Sequence, residues 1–207
     1  MEHNHLHGHH CECGQETKTE NLAELYNLYS KIDMENLECL NEAVENSAKS
    51  VFRPWDQRLD STKFVESDAD EELLFNIPFT GNVKLKGLIL IGGEGGTHPS
   101  VVRLFKNRPH MTFDDATSQP EQELNLVEDL EGTVEYATKI VKFSSVYHLT
   151  LHFPKNYGSD TSKIQFIGLK GDWSEGHRHG VTLCTYEATP SMADHKDKVL
   201  ETTNLNI

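Results

Sequence analysis

At 207 residues the chain is long enough for one domain with a sizeable core and tails, and its 36% hydrophobic and 25% charged content, with a mean hydropathy of −0.55, predicts a water-soluble fold. No run of about 18 apolar residues offers a membrane-spanning helix, and the polar N-terminus lacks the basic-then-apolar order of a secretory leader. The formal net charge of −14 excludes nucleic acid and anionic membrane surfaces as natural partners, because a phosphate surface needs clustered Lys and Arg. The expected partner is a protein, the expected compartment the cytoplasm, with the nucleus reachable by diffusion. No feature sets an oligomeric state, and a monomer is the simplest expectation.

Residues 1–19 contain almost no aliphatic side chains and read as a disordered tail. His3, His5, His7, His9, His10, Cys11 and Cys13 place seven potential metal ligands in that tract. Imidazole and thiolate together suit weak zinc or copper binding. No second ligand pair stands at zinc-finger spacing, so a solvated tail without a metal remains the alternative. The four cysteines, Cys11, Cys13, Cys39 and Cys184, form no C-x-x-C pair, which removes a thioredoxin-type redox role.

Leu22, Leu25, Tyr26, Leu28, Tyr29 and Ile32 recur at helical spacing, and with Asn21 as a cap they predict a short helix over Asn21–Ile32. Asp33–Ala48 reads as a further short helix or turn, in which Cys39 is a small buried apolar group. VFRPWDQRL, Val51–Leu59, reads as an extended lead-in because the residue before Pro54 disfavours helix. Trp55 is either a core anchor or, if exposed, a partner contact. Asp68, Asp70, Glu71 and Glu72 form an acidic turn without the spacing of an EF-hand loop.

Two apolar segments follow, Leu73–Phe79 and Val83–Gly93, which are expected to be two strands joined by a Thr80-Gly81-Asn82 turn. Leu73, Phe75, Ile77 and Phe79 fall on one side of a period-2 strand, and Leu74, Asn76 and Pro78 on the other. The second segment alternates at first and then becomes apolar on both sides, as in a strand covered by a second layer. Pro78 predicts an edge or a bulge. GGEGGTHPS, Gly92–Ser100, has no Lys-Ser/Thr for a phosphate cradle; its glycines suit positive φ between strands. VVRLFKN is the next strand and Pro109–Leu124 a polar connection. Leu124–Leu130 and Val134–Phe143 are read as strands. In Tyr147–Phe153, Tyr147, Leu149, Leu151 and Phe153 point one way and His148, Thr150 and His152 the other, on a half-exposed face. KIQFIGLK and VTLCTYEA complete the set. The connection between them, GDWSEGHRHG, gathers Trp173, His177, Arg178 and His179 into an aromatic and basic cluster suited to binding a partner.

The stretches CLNEA, VFRPWDQRLD, FVESDADEELLFNIPFTGNVKLKG, YHLTLHF and IQFIGLKG, in this order, resemble the PITH domain family, the proteasome-interacting C-terminal domain of thioredoxin-like proteins. The resemblance covers Tyr29–Glu187 and is to the stand-alone form, without a thioredoxin domain. It implies a jelly-roll β-sandwich of the galactose-binding-like type, an association with the 26S proteasome or a related ubiquitin-pathway assembly, and no chemical activity. Residues 20–189 would then be the domain, N-terminal helix included, and residues 190–207 a flexible tail. The short strands and Gly/Asn/Pro turns independently argue an antiparallel all-β sandwich. No nucleophile elbow, metalloprotease helix or phosphate loop is written in the sequence, so the reading is a non-catalytic interaction module. A carbohydrate- or small-ligand-binding sandwich and a metal-binding adaptor using the His/Cys tract are the alternatives.

Overall fold

A computed structural model describes residues 25–176. Among these residues eight strands carry the fold: β1 (Glu38–Leu40), β2 (Val65–Glu66), β3 (Leu73–Gly92), β4 (Pro99–Lys106), β5 (Gln122–Asn125), β6 (Glu135–Ala137), β7 (Val146–Asn156) and β8 (Lys163–Ser174); the expected strand VTLCTYEA lies outside them. Every pairing between them is antiparallel, in the order β2-β8-β3-β7-β4-β5, with β1 and β6 also paired to β3.

β3 is 20 residues long, well beyond an ordinary strand, because it serves two layers. Its first half lies between β1 and β7, with Phe75 opposite Cys39 on one side and Leu151 on the other. Its second half lies between β6 and β8, with Leu88 opposite Tyr136 and Leu169. The change of neighbours turns one chain of pairings into an all-β jelly-roll sandwich. One interior results, shared by Phe75, Leu104, Leu151 and Phe153 from the first layer and Leu85, Leu88, Ile167 and Leu169 from the second.

The expected turn at Thr80-Gly81-Asn82 is therefore not a turn. The strand runs through it, and the register with β7 shifts between Pro78 and Val83, the irregularity that Pro78 predicted. Gly81 is required for close approach: a Cβ there would lie 2.6 Å from both Trp173 Nε1 and the Ser174 carbonyl. Gly95 and Gly96 in the following loop do take positive φ, +68° and +87°.

The expected N-terminal helix is also corrected, over its described part. Asn21 and Glu24 lie outside the described residues, and from Leu28 onward the segment is a 3-10 turn, Leu28–Lys31. Tyr26, Leu28 and Ile32 are nonetheless buried, since this turn lays them against the sandwich instead of along a helix face. Asp33–Ala48 contains strand β1, not a helix, and runs into a 3-10 turn, Ser47–Val51; in Val51–Leu59 the chain is extended at Phe52, as expected, and then forms one 3-10 turn, Trp55–Gln57. Of the two segments read as strands, Leu124–Leu130 gives only Leu124 and Asn125 to β5 and is irregular beyond them, while Val134–Phe143 gives Glu135–Ala137 to β6 and then forms a turn over Lys139–Phe143.

The second face of β7 differs from its expected half-exposure. Thr150 and His152 are buried because the Arg108–Ser118 connection folds over them, with Leu74, Phe105, Met111 and Ala116 forming a small apolar cluster there. Asn76 fastens this cover: its amide donates to the Met111 carbonyl (2.9 Å), and its Oδ1 accepts from the Met111 N–H (3.2 Å) and the Thr150 hydroxyl (3.2 Å).

Candidate functional site

The site begins with Arg53. The residue is 5% exposed, and its guanidinium donates to the carbonyls of Ser50, Gln57, Arg58, Asp60 and Gln165 at 2.7–3.1 Å, so one side chain satisfies the backbone of an irregular loop. Burial lowers the pKa of this group, with the charge of Asp60 acting in the opposite sense. The loop it shapes presents Trp55. Tyr26 stacks on the Trp55 ring at 5.1 Å, Phe166 meets it edge-on at 6.1 Å, and the Arg58 guanidinium covers it at 4.3 Å. Trp55 is thus 6% exposed and belongs to the core, offering only an edge to solvent.

That edge lines a groove of about 470 Å³ together with Tyr26, Arg58, Leu59, Ile89 and Glu135. Leu59 is exposed beside it. The opposite wall is set by Asp129, whose carboxylate accepts the N–H groups of Glu131, Gly132, Thr133 and Val134 at 2.7–3.0 Å. Gly132, at φ +75°, lies over Ile89 and Ile91. On the rim the Tyr26 hydroxyl donates to Glu135 (2.7 Å), and Lys170 pairs with the same carboxylate (2.8 Å). Burial, then the bond to Glu135, pushes the Tyr26 pKa up. Burial also raises that of Glu135, but the donors Lys170 and Tyr26 outweigh it and the net shift is downward.

Lys170 leads from this groove to a second one, of about 420 Å³, lined by Leu25, Lys31, Lys86, Asp172 and Trp173. Trp173 was expected in a loop; it stands on β8 opposite Val83, half-buried against the core, with the Lys31 ammonium 4.3 Å from its ring centre. Its Nε1 is buried and has no partner among the described residues. The two tryptophans singled out from sequence therefore border one face of the molecule, joined by Tyr26, Glu135 and Lys170. His177, Arg178 and His179 lie outside the described residues, as do His3, His5, His7, His9, His10, Cys11 and Cys13.

Among the described residues no group of three or more His, Cys, Asp or Glu side chains is arranged to hold a metal. His152 Nε2 meets Glu72 at 2.6 Å, and His110 meets Glu38 at 3.3 Å, each as a pair. Burial pushes the Cys39 thiol well up, and the Glu42 charge adds to this, which suits an inert packing group. Neither tryptophan offers the open ring face on which a sugar would stack, since Tyr26 and Arg58 cover one and Lys31 the other. Sequence reasoning missed Tyr26, Arg58, Leu59 and Glu135; the only signal was the proximity of Arg58 and Leu59 to Trp55 in VFRPWDQRLD.

A model of the PITH domain matches residues 18–190. A PITH domain-containing protein of Drosophila pseudoobscura pseudoobscura is 57% identical over 97% of both chains, and PITH domain-containing protein 1 of Homo sapiens is 54% identical over 95% of this chain and 94% of its own. A relative of the same description in Dictyostelium discoideum is 42% identical over 84% of this chain and 86% of its own. Among solved structures, the family 32 carbohydrate-binding module of C. perfringens NanJ, in complex with galactose, superposes with a TM-score of 0.46 at 8% identity, covering 67% of this chain and 97% of that one. A chitobiase C-terminal domain from Bacteroides fragilis gives 0.44 at 15% identity, covering 70% and 99%. Likenesses this distant say nothing of what the present chain binds. The relatives and the family match, which together run along almost the whole sequence, establish that the chain belongs to the PITH domain family.

Proposed function

We propose that this PITH protein is a non-catalytic interaction module that docks on the 26S proteasome or a related ubiquitin-pathway assembly, in the cytoplasm and the nucleus. The observation that carries the reading is the groove beside Trp55. It combines an aromatic edge and an arginine, the residue types that dominate interface energies, with an exposed leucine, on walls fixed by Arg53 and Asp129. A pre-ordered groove loses little conformational entropy when a partner side chain enters. The face also alternates in charge, with Arg58 and Lys170 against Glu131 and Glu135, which favours a protein partner with both signs over a uniformly anionic one.

Co-precipitation of the intact chain from cell extract, at low salt and without detergent, tests this. Proteasome subunits are expected with the intact chain and should fall by about tenfold for Leu59→Glu, whose folding is checked by an unchanged Tm, since a charge is then forced into an apolar contact. Failure to recover any proteasome subunit with the intact chain would overturn the assignment. Recovery that is unaffected by Leu59→Glu would move the contact to another surface.

A further inference from the structure

The turn Lys139–Phe143 breaks the usual composition of turns. Positions normally held by Gly, Asn, Asp or Ser are held by two β-branched aliphatics, Ile140 and Val141, which are 45% and 91% exposed. No burial compensates for this departure from local preference, the kind of conflict that marks functional positions. The turn is nevertheless braced on every side. The Lys139 carbonyl accepts the N–H groups of Lys142 (2.8 Å) and Phe143 (3.1 Å). Thr138 is tied to β3 through its N–H to the Lys86 carbonyl (3.0 Å) and its hydroxyl to the Leu85 carbonyl (2.7 Å). The Lys139 N–H donates to Gln122 Oε1 (2.7 Å), and the Phe143 ring is fully buried.

Cations surround the tip. Lys139 and Lys142 flank it, Lys142 Nζ reaches the Glu121 carbonyl (2.7 Å), and Lys106 Nζ donates to the Lys142 carbonyl. The nearby carboxylate of Glu121 is already engaged by Arg108 (3.1 Å) and by the Lys106 N–H (3.2 Å). The local balance is positive on a chain whose net charge is −14.

We propose that this turn is a second docking element, a fixed aliphatic knob inside a lysine rim, which takes an acidic protein segment carrying its own apolar side chains. Charge complementarity selects that occupant. A short acidic segment meets only the rim, and the chain's remaining negative charges, beyond about 8 Å, are screened from it. An anionic membrane plane would extend beyond the lysine rim and face more of a chain whose net charge is −14.

The probe is a fluorescein-labelled peptide with a Leu-Phe pair between two runs of glutamate, titrated with the full chain and followed by anisotropy; control peptides replace the glutamates by lysine or the apolar pair by serine. The glutamate peptide with its apolar pair should bind best. The double variant Ile140→Ser/Val141→Ser should weaken it by about tenfold, and Lys139→Glu/Lys142→Glu should abolish the preference for glutamate over lysine. All four positions are exposed, so Tm should stay put, and Leu59→Glu should leave peptide binding unchanged, which separates this element from the groove beside Trp55. No binding of the glutamate peptide, or equal binding by the variants, would overturn the proposal. So would Val141-dependent sedimentation with phosphatidylserine/phosphatidylcholine vesicles while the peptide stays free.

Discussion

The interior between the two layers and the loop around Arg53 are both well ordered, but by opposite means. In the interior many apolar side chains share the work, and Phe75, packed edge-on against Phe52 at 6.1 Å and Phe153 at 5.7 Å, is one among many. In the loop a single guanidinium collects five carbonyls within 3.1 Å, and a sixth at 3.5 Å, from residues 50 to 165. A shared interior should degrade gradually as its side chains shrink. A clamp should fail at once when its one polar group changes shape.

The largest expected effect comes from the interior. Phe75→Ala should destabilise by about 3–5 kcal/mol in chemical unfolding, and Phe75→Leu, which keeps most of the volume, by roughly 1.5 kcal/mol. A loss under about 1 kcal/mol for the alanine would mean the ring is not central to the core. Arg53→Ala should cost about 3 kcal/mol, because it strands buried carbonyls, although the desolvation of the charge is recovered. The sharper comparison is Arg53→Lys. A compact ammonium with three donors cannot span the carbonyl fan, so lysine should be nearly as damaging as alanine, whereas leucine rescues most of Phe75. If lysine restores Arg53 as well as leucine restores Phe75, the clamp is not distinct from the interior.

Acid should act next, on buried groups that belong to neither region. His98 and His152 are buried, and burial lowers the pKa of each below the ordinary 6.5, more than their hydrogen-bond partners raise it. Above that value both states are neutral and nothing is lost. As pH falls below it the unfolded chain takes up protons that the folded one resists, so stability declines with acidification. A Tm scan from pH 7.5 to 5 should show this fall, and His98→Gln should flatten part of it; a Tm rising toward pH 5 would contradict the neutral burial of both rings.

The sequence disclosed what depended on side-chain period. Leu73, Phe75, Ile77 and Phe79 line the interior, as do Leu149, Leu151 and Phe153, because alternation along a strand directly reports which side meets the core. It also put Tyr26, Leu28 and Ile32 on one apolar stripe, and all three are buried, but it mistook their geometry, since helical spacing and a 3-10 turn laid across a sheet hide similar sets of residues. Gly81 was misread because a glycine needed for an approaching indole looks the same in sequence as one needed for a turn. The candidate groove was least legible. Its walls depend on Arg53 reaching Gln165 and on Tyr26 reaching Glu135, contacts that span 112 and 109 positions and leave no local pattern.

Trp173 provides the smallest and most diagnostic effect. Its ring packs against the core and over Gly81, yet its Nε1 is buried without a partner among the described residues. An unsatisfied buried donor costs about 1–3 kcal/mol relative to a satisfied one. Trp173→Phe removes that donor together with part of the ring, so the lost packing and the relieved donor should nearly cancel, leaving stability within about 0.5 kcal/mol of the parent. Trp55→Phe, by contrast, disturbs a ring held between Tyr26, Phe166 and Arg58 and should cost about 2 kcal/mol. Equal losses at the two positions would show that Trp173 is as firmly seated as Trp55 and that its indole nitrogen carries no penalty.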